Sequence, residues 1–320
     1  MKYNYASAIC AAFEYVLDTY PEAFILGQGL WSPWYVGNSM TGLDKKYGTH
    51  RVIDTPVSEL ACTGAGVGAA LAGMKPIVVH PRMDFMLYAM DAIVNQAAKW
   101  SHMVGGQAHP GVTIRAIINR GGEQGAQHSQ ALHAWFAHIP GLRVVMPATV
   151  ADARDLLIAA VVSRDPVIYI DDRWLYDLED ELLPVQEIDL AVQGPRCLRE
   201  GRDLSLVAAG YSVRLALDTA DRLASEGISA EVIDLRVLNP FYPDLVIKSA
   251  RKTGRLLAID GGWRTCGMAG EVIATVAEAG VSARMRRITL PDAPAPTSRV
   301  LENAYYPTVD AIVSAASGII

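Results

Sequence analysis

The sequence predicts an α/β protein built from two parallel-sheet domains. Short apolar segments rich in β-branched residues alternate with longer helical patterns through the first half of the chain, and the alternation starts again after residue 200. Strand–helix–strand repeats of this kind form parallel sheets with helices on both faces. The length of 320 residues allows two domains, each with a full hydrophobic core.

The first domain is predicted from short strands that are apolar throughout and from helices between them. Continuous apolar runs are typical of parallel strands, because both faces of such a strand are buried. The predicted strands are residues 23–26, 51–54, 76–80, 112–118, 142–146 and 167–170. The predicted helices are residues 6–19, 59–72, 89–102, 130–137 and 150–163.

The pattern changes between Leu178 and Gly201, where acidic and mixed residues replace the alternation. We interpret this segment as a connection, with domains at residues 1–185 and 201–320 and a linker at 186–200. The second domain is predicted to contain strands 204–209, 230–234, 255–260 and 285–289, and helices 213–226, 243–253 and 269–279. A proline-rich stretch at 291–299 is predicted to be extended.

Composition excludes several classes of protein. The net charge is -6, so no basic field attracts nucleic acid or an anionic membrane. No apolar stretch reaches the length of a membrane span. The four cysteines are scattered and form no C-x-x-C pair, which favours a reducing compartment. We therefore expect a cytoplasmic protein that binds neither nucleic acid nor a membrane.

The segment from Ile53 to Glu59 marks the transition from a strand to a helix. Pro56 cannot lie inside a central strand, Ser58 can cap the helix that follows, and Glu59 then lies in its first turn. Taken alone, this pattern indicates only a capped helix with a favourable acid. The next residues include three glycines in five positions, which indicates close approach of a ligand or of another helix across a dimer interface.

A second segment, Arg120 to Gln130, is glycine-rich and follows the predicted strand 112–118. In parallel sheets, ligands bind at the carboxyl ends of strands, which is where this loop begins. His128 near its end is a candidate acid or base at neutral pH. The alternative is a helix-capping loop in which His128 binds backbone groups.

Three segments resemble the β subunit of the 2-oxo acid dehydrogenase E1 component: RVIDTPVSELACTGAGVGAALAGMKPIV, FMLYAMDAIVNQAAKW and GGEQGAQHSQALHAWFAHIPGLRVVMPATVADARDLL. The segment LVAAGYSVRLALDTADRLASEGISAEVIDLRVLNPF resembles the C-terminal domain of the same family. The resemblance implies a thiamin-diphosphate pyrimidine-binding domain followed by a transketolase C-terminal-like domain. It also implies decarboxylation of a small 2-oxo acid, with transfer of the acyl group to a lipoyl carrier.

The resemblance assigns roles to four residues of this chain. Glu59 would hydrogen-bond the aminopyrimidine ring of thiamin diphosphate and favour the tautomer that activates the cofactor. Val57 would line the same pocket, and Phe85 would stack on the pyrimidine. His128 would lie on the substrate side and assist proton transfer or acyl transfer.

Half of a thiamin site is missing from the sequence. Enzymes of this class bind the diphosphate through Mg²⁺ held by a Gly-Asp-Gly motif, and this chain contains no such motif. The resemblance therefore implies an E1 α-like partner that holds Mg²⁺, an α2β2 assembly and a lipoyl-bearing E2 component. No metal site is expected in this chain itself.

The sequence also departs from the family pattern and leaves alternatives open. Gln28 stands where family members usually carry an acid. Arg82 is a candidate for binding an additional anionic group of the substrate, and the alternative is a salt bridge at the surface or at an interface. One alternative function is half of a split transketolase or acyloin synthase, which would join the same intermediate to an aldehyde. Another is a regulatory β-like subunit without catalysis.

Overall fold

A computed structural model describes residues 2–32, 34–186 and 188–320. The chain forms two compact units, one made of Met1–Asn119 and Trp135–Gln193, the other of Arg120–Ala134 and Gly194–Ile320. The segment Arg120–Ala134 thus leaves the first unit and belongs to the second. Among the described residues, no helix combines the length and the apolar character that crossing a membrane requires.

The first unit contains eight strands and six α-helices among its described residues. The strands are β1 Lys2–Asn4, β2 Ala23–Gly27, β3 Val52–Asp54, β4 Lys75–His80, β5 Thr113–Ile118, β6 Arg143–Val145, β7 Val167–Asp172 and β8 Glu179–Glu181. The helices are α1 Tyr5–Thr19, α2 Leu43–Tyr47, α3 Glu59–Leu71, α4 Trp100–Met103, α5 His133–Ala137, whose first two residues belong to the second unit, and α6 Val150–Val162.

The main sheet of the first unit has the strand order β6-β7-β5-β4-β2-β3, and all these pairings are parallel. Every residue of β5 and β7 is buried, as expected for central strands covered on both faces. The predicted parallel α/β fold is confirmed. Because the strands are parallel, their carboxyl ends share one edge, where ligands bind in α/β sheets.

The helix predicted at 89–102 is interrupted in the structure. A 3₁₀ helix at Phe85–Ala89 is followed by a π-helix at Asp91–Ala97 and then by the short helix α4. Over one or two turns, the spacing of apolar residues is nearly the same in an α-helix, with hydrogen bonds four residues apart, and in a π-helix, with hydrogen bonds five residues apart. The sequence pattern therefore did not reveal this change. The helix predicted from residue 130 begins only at His133, because the preceding residues belong to the loop.

The second unit is a smaller α/β unit with a mixed sheet. Its strands are β9 Arg196–Arg199, β10 Leu204–Ala208, β11 Ala230–Asp234, β12 Val237–Asn239, β13 Arg255–Trp263 and β14 Arg284–Leu290. Its helices beyond the start of α5 are α7 Tyr211–Ser225, α8 Asp244–Thr253, α9 Met268–Glu278, α10 Arg299–Tyr305 and α11 Val309–Ser317. The order β14-β13-β10-β11-β9 is parallel except for β9, which runs antiparallel to β11.

The segment interpreted as a connection contains two strands. β8 pairs antiparallel with β1, and β9 forms an edge of the second sheet. Both are short and rich in charged residues, as is common for edge strands, so they lack the apolar pattern by which strands were predicted. The domain limits 1–185 and 201–320 remain a proposal beside the compact units described above.

Candidate active site

The carboxyl edge of the main sheet is organised by Asp54 at the end of β3. Its carboxylate accepts a hydrogen bond from the backbone N–H of Gly29 at 2.6 Å and a longer one from Leu30 at 3.3 Å. The backbone N–H of Thr55 donates to the carbonyl of Gly27 at 2.9 Å. These contacts fix the loop after β2 against the segment that leads to α3.

Glu59 is the first residue of α3, as predicted, and its side chain is half-buried. A carboxylate in the first turn is stabilised by the helix dipole. Ser58 lies at the N-cap position, but its side chain forms no capping hydrogen bond, so that part of the prediction is wrong. Its φ of -161° and ψ of 68° differ from the usual extended N-cap backbone, which removes the capping geometry.

One turn after Glu59, a side chain of α3 contacts the last residue of β4. Thr63 is fully buried, and its Oγ1 lies 3.1 Å from Nε2 of His80, the last residue of β4. Burial lowers the pKa of His80 to about 4, so its ring is neutral at pH 7. The start of α3 therefore has a defined position at the carboxyl edge of the sheet.

Val57 lies on the segment before α3, and Phe85 lies on a 3₁₀ helix that contacts α3. Phe85 begins the 3₁₀ helix that packs against α3, and its ring is half-buried. Val57 precedes the helix and is 68% exposed. Three of the predicted site residues thus belong to one edge of the first unit: a half-buried carboxylate, a half-buried aromatic ring and an exposed aliphatic side chain.

The glycines of α3 serve two different purposes. A Cβ at Gly66 would come within 2.6 Å of the Val78 side chain, so this glycine allows close packing of α3 on β4. A Cβ at Gly64 or Gly68 would meet no atom within 4 Å apart from the backbone of its own helix and its chain neighbours. At these two positions the helix backbone is exposed without a side chain. A ligand or a second helix could approach there, as the sequence predicted.

Arg82 follows β4, is half-buried, and interacts electrostatically with Tyr35 on the loop after β2. Burial lowers the pKa of its guanidinium, and the positive charge of Arg173 adds to that effect. Arg173 itself donates to the backbone carbonyls of Trp34 and Tyr35 on the loop. A role of Arg82 in binding an anionic substrate group remains a prediction.

Sequence reasoning missed a fully buried charge network beneath this edge. The Arg115 guanidinium on β5 donates to both carboxylate oxygens of Asp171 on β7, at 3.0 and 2.8 Å, and also to Ser39 Oγ and Tyr176 Oη. Ser39 belongs to the loop after β2, so the network ties that loop to the sheet. The signal in the sequence is an arginine inside the strand TIRAII and two aspartates at the end of the strand VIYIDD, both of which are otherwise free of charge.

His128 lies in the second compact unit, on the loop between β5 and α5. Its side chain is half-buried, and its backbone N–H lies 3.4 Å from the carbonyl oxygen of Gly125. Of the predicted site residues, Val57, Glu59 and Phe85 belong to the first unit and His128 belongs to the second.

Within the described part of the chain, one group of three potential metal ligands comes close together: Cys197, Glu200 and Glu231, whose ligand atoms lie within 4.8 Å of one another. The Lys252 ammonium lies 3.1 Å from a Glu200 oxygen and also contacts Glu231. The hydrogen bond to Glu231 raises the pKa of Lys252. We interpret this group as a charge cluster in which lysine supplies the cation.

Family models account for most of the chain. Residues 1–177 match the transketolase pyrimidine-binding domain, and residues 195–312 match the transketolase C-terminal domain. In the solved structures, a chain described as "Split gene transketolase, inactive beta4 tetramer" matches with a TM-score of 0.80 and covers 99% of this chain and 98% of its own. At 21% identity, that likeness is evidence of the fold alone.

Curated relatives align over most of their own length. The acetoin:2,6-dichlorophenolindophenol oxidoreductase subunits β of Cupriavidus necator and Bacillus subtilis are 42% and 40% identical, over 86% and 85% of this chain and 82% and 80% of theirs. The pyruvate dehydrogenase E1 component subunit β-1 of Arabidopsis thaliana, a mitochondrial protein, is 37% identical over 97% of this chain and 87% of its own. The chain therefore belongs to the family of 2-oxo acid dehydrogenase E1 β subunits, with its transketolase-type pyrimidine-binding and C-terminal domains.

Proposed function

We propose that this chain is the β subunit of a heteromeric, thiamin-diphosphate-dependent 2-oxo acid dehydrogenase. The observation that carries the proposal is the carboxylate of Glu59, held half-buried at the start of α3 at the carboxyl edge of the parallel sheet. Membership in a family with a pyrimidine-binding domain implies thiamin diphosphate as the cofactor. The position of Glu59 suits a group that binds one ring nitrogen of that cofactor.

The residues at this edge fit the aminopyrimidine ring in chemical character. Glu59 offers a carboxylate that hydrogen-bonds a ring nitrogen, Phe85 offers an aromatic face, and the exposed side chain of Val57 offers an apolar contact. Bound thiamin diphosphate supplies the electron sink for decarboxylation. The role of Glu59 is to hold a proton at the pyrimidine nitrogen, and the fixed start of α3 keeps its carboxylate in place.

We assign His128 to the substrate side of the reaction. Imidazole exchanges protons near neutral pH, so His128 is suited to move a proton during decarboxylation or during acyl transfer to a lipoyl group. The glycine-rich loop that carries it begins at the carboxyl end of β5, where ligands of parallel sheets bind.

The diphosphate and its Mg²⁺ are assigned to an α-like partner subunit. The relatives are named as β subunits, which is consistent with a multi-subunit enzyme. The sequence contains no Gly-Asp-Gly segment that would hold the metal. We propose an α2β2 assembly that works with a lipoyl-bearing E2 component. A cytoplasmic location is proposed from the four free cysteines.

Acetoin is a second candidate substrate beside a small 2-oxo acid such as pyruvate. The two relatives at 40% and 42% identity are named acetoin oxidoreductase subunits, whereas the pyruvate dehydrogenase subunit of Arabidopsis thaliana is at 37%. Transfer of the intermediate to an aldehyde, as in a split transketolase or acyloin synthase, remains an alternative, and the fold is compatible with it.

An activity assay on the assembled enzyme tests this proposal. The chain is combined with its α-like partner, thiamin diphosphate and Mg²⁺, and reduction of dichlorophenolindophenol is followed with pyruvate, a branched-chain 2-oxo acid or acetoin. We expect dye reduction that depends on one of these substrates. Carbon–carbon bond formation with an added aldehyde but no dye reduction would support the acyloin alternative. Absence of both activities in a correctly assembled complex would contradict the proposed function.

A further inference from the structure

The loop that carries His128 is fastened at both ends to adjacent residues of β13. At its start, Nη1 of Arg120 donates to the carbonyl oxygen of Gly261 at 3.2 Å. At its end, Nε2 of His133 lies 2.9 Å from Oδ1 of Asp260. The side chains of Arg120, His133 and Asp260 are all buried. The base of the loop is thus closed by two contacts inside the second unit.

Both carboxylate oxygens of Asp260 are hydrogen-bonded. Its carboxylate also accepts from the backbone N–H groups of Gly262 at 2.8 Å and Ala269 at 3.0 Å. Burial alone would raise the pKa of Asp260, but the attraction and hydrogen bond of His133 and the two backbone donors lower it below its ordinary value. The carboxylate is therefore ionised, and its hydrogen bond with His133 is charge-assisted.

The middle of the loop has an unusual backbone conformation. Gly121, Gly122, Glu123 and Gly125 all have positive φ, at 79°, 68°, 64° and 73°. Glycine adopts this conformation freely, but for Glu123 it is unfavourable because of the Cβ atom. A neighbouring contact that holds Glu123 in place would therefore fix the path of the loop five residues before His128.

Glu302 on α10 provides that contact. The backbone N–H of Glu123 lies 3.1 Å from Oε2 and 3.3 Å from Oε1 of Glu302, whose residue is only 6% exposed. Among the residues that the structure describes, this N–H is the hydrogen-bond partner of the Glu302 carboxylate. Burying a carboxylate costs free energy unless the carboxylate is hydrogen-bonded, so the buried position of Glu302 depends on its contact with the loop.

We propose that Glu302 is a positioning residue for His128. It holds Glu123 in the left-handed conformation, while the Arg120 and His133 contacts close the base of the loop, and together they set the position of the imidazole. This inference rests on the proposed role of His128 in turnover. It gives α10 and β13 of the second unit a direct part in the position of His128.

Variants of Glu302 in the assembled heteromer test the inference. Glu302→Ala leaves the Glu123 N–H without its acceptor, whereas Glu302→Gln keeps an amide oxygen in the same place. We expect Glu302→Ala to lower kcat roughly tenfold, the scale of one lost charge-assisted hydrogen bond, with thiamin diphosphate affinity unchanged. Glu302→Gln is expected to recover most of that loss. Hydrogen exchange of the amides in 121–128 should be faster in Glu302→Ala.

Arg299→Ala is the matched control. Arg299 is on the same helix and reaches the same loop residue, but its 3.4 Å ion pair with the Glu123 carboxylate is exposed, with side chains 75% and 44% accessible. Exposed pairs contribute little, so this variant should keep kcat within about twofold. If Glu302→Ala fails to assemble, Glu302→Asp takes its place. Its side chain is one methylene shorter, so the carboxylate lies farther from the Glu123 N–H, and a smaller decrease in kcat is expected.

The outcomes separate this inference from the function on which it rests. Loss of turnover in His128→Gln together with wild-type kcat and wild-type hydrogen exchange in Glu302→Ala would overturn the positioning role alone. Wild-type turnover in His128→Gln would overturn the proposed role of His128 and, with it, this inference. Parallel losses in His128→Gln and Glu302→Ala, with Arg299→Ala unaffected, are the expected result.

Discussion

The buried His80 makes the stability of the first unit depend on pH. The ring has an ordinary pKa of 6.5 and a pKa of about 4 in the folded chain, because burial disfavours its charged form. Between these two values the unfolded state binds more protons than the folded state, so stability falls as the pH falls. The full difference is worth about 3.4 kcal/mol, of which about 2 kcal/mol is lost at pH 5.

The substitution His80→Gln keeps a polar side chain beside Thr63 but removes the titrating group. Urea unfolding at pH 7 and pH 5, with and without the substitution, gives four free energies of unfolding. We expect wild type to lose about 2 kcal/mol more than the variant between these two pH values. His102→Gln, the same change at an exposed histidine, controls for loss of an imidazole. If wild type and His80→Gln lose the same free energy of unfolding between pH 7 and pH 5, His80 is not the source of the pH dependence.

Two further predictions concern the buried network and the candidate catalytic acid. Arg115→Met leaves the buried carboxylate of Asp171 without its cation and should lower the free energy of unfolding by about 3–5 kcal/mol, whereas Arg115→Met with Asp171→Leu should recover much of that loss in the same urea titration. Glu59→Gln should lower turnover of the assembled enzyme by roughly 10²-fold or more without preventing assembly, as measured by dye reduction and by size-exclusion chromatography. Unchanged turnover of Glu59→Gln would contradict its proposed role.

Features that depend on local pattern could be predicted from the sequence. The start of α3 at Glu59 follows from Pro56 ending the strand, and the parallel direction of the strands in the main sheet follows from the strand–helix alternation. Both depend on residues close together in the chain. The capping role of Ser58 was wrong because it depends on backbone angles that the residue type alone does not determine.

Features that depend on distant residues could not be predicted. The short strands β8 and β9 carry little apolar signal, because their edge positions leave side chains partly or fully exposed. The contact between Glu302 and Glu123 joins residues 179 positions apart, and nothing local to either marks it. The pairing of Arg115 with Asp171 is an exception among these distant contacts, because a charge inside an apolar strand requires a buried partner and could have been noticed in the sequence.

We propose that this chain forms only the pyrimidine-binding part of a thiamin diphosphate site. Titration calorimetry of thiamin diphosphate with Mg²⁺, on the chain alone and on the chain with its α-like partner, tests this division of the site. We predict tight binding only in the mixture. Equally tight binding by the chain alone would contradict the claim, because the diphosphate and its metal would then be held here.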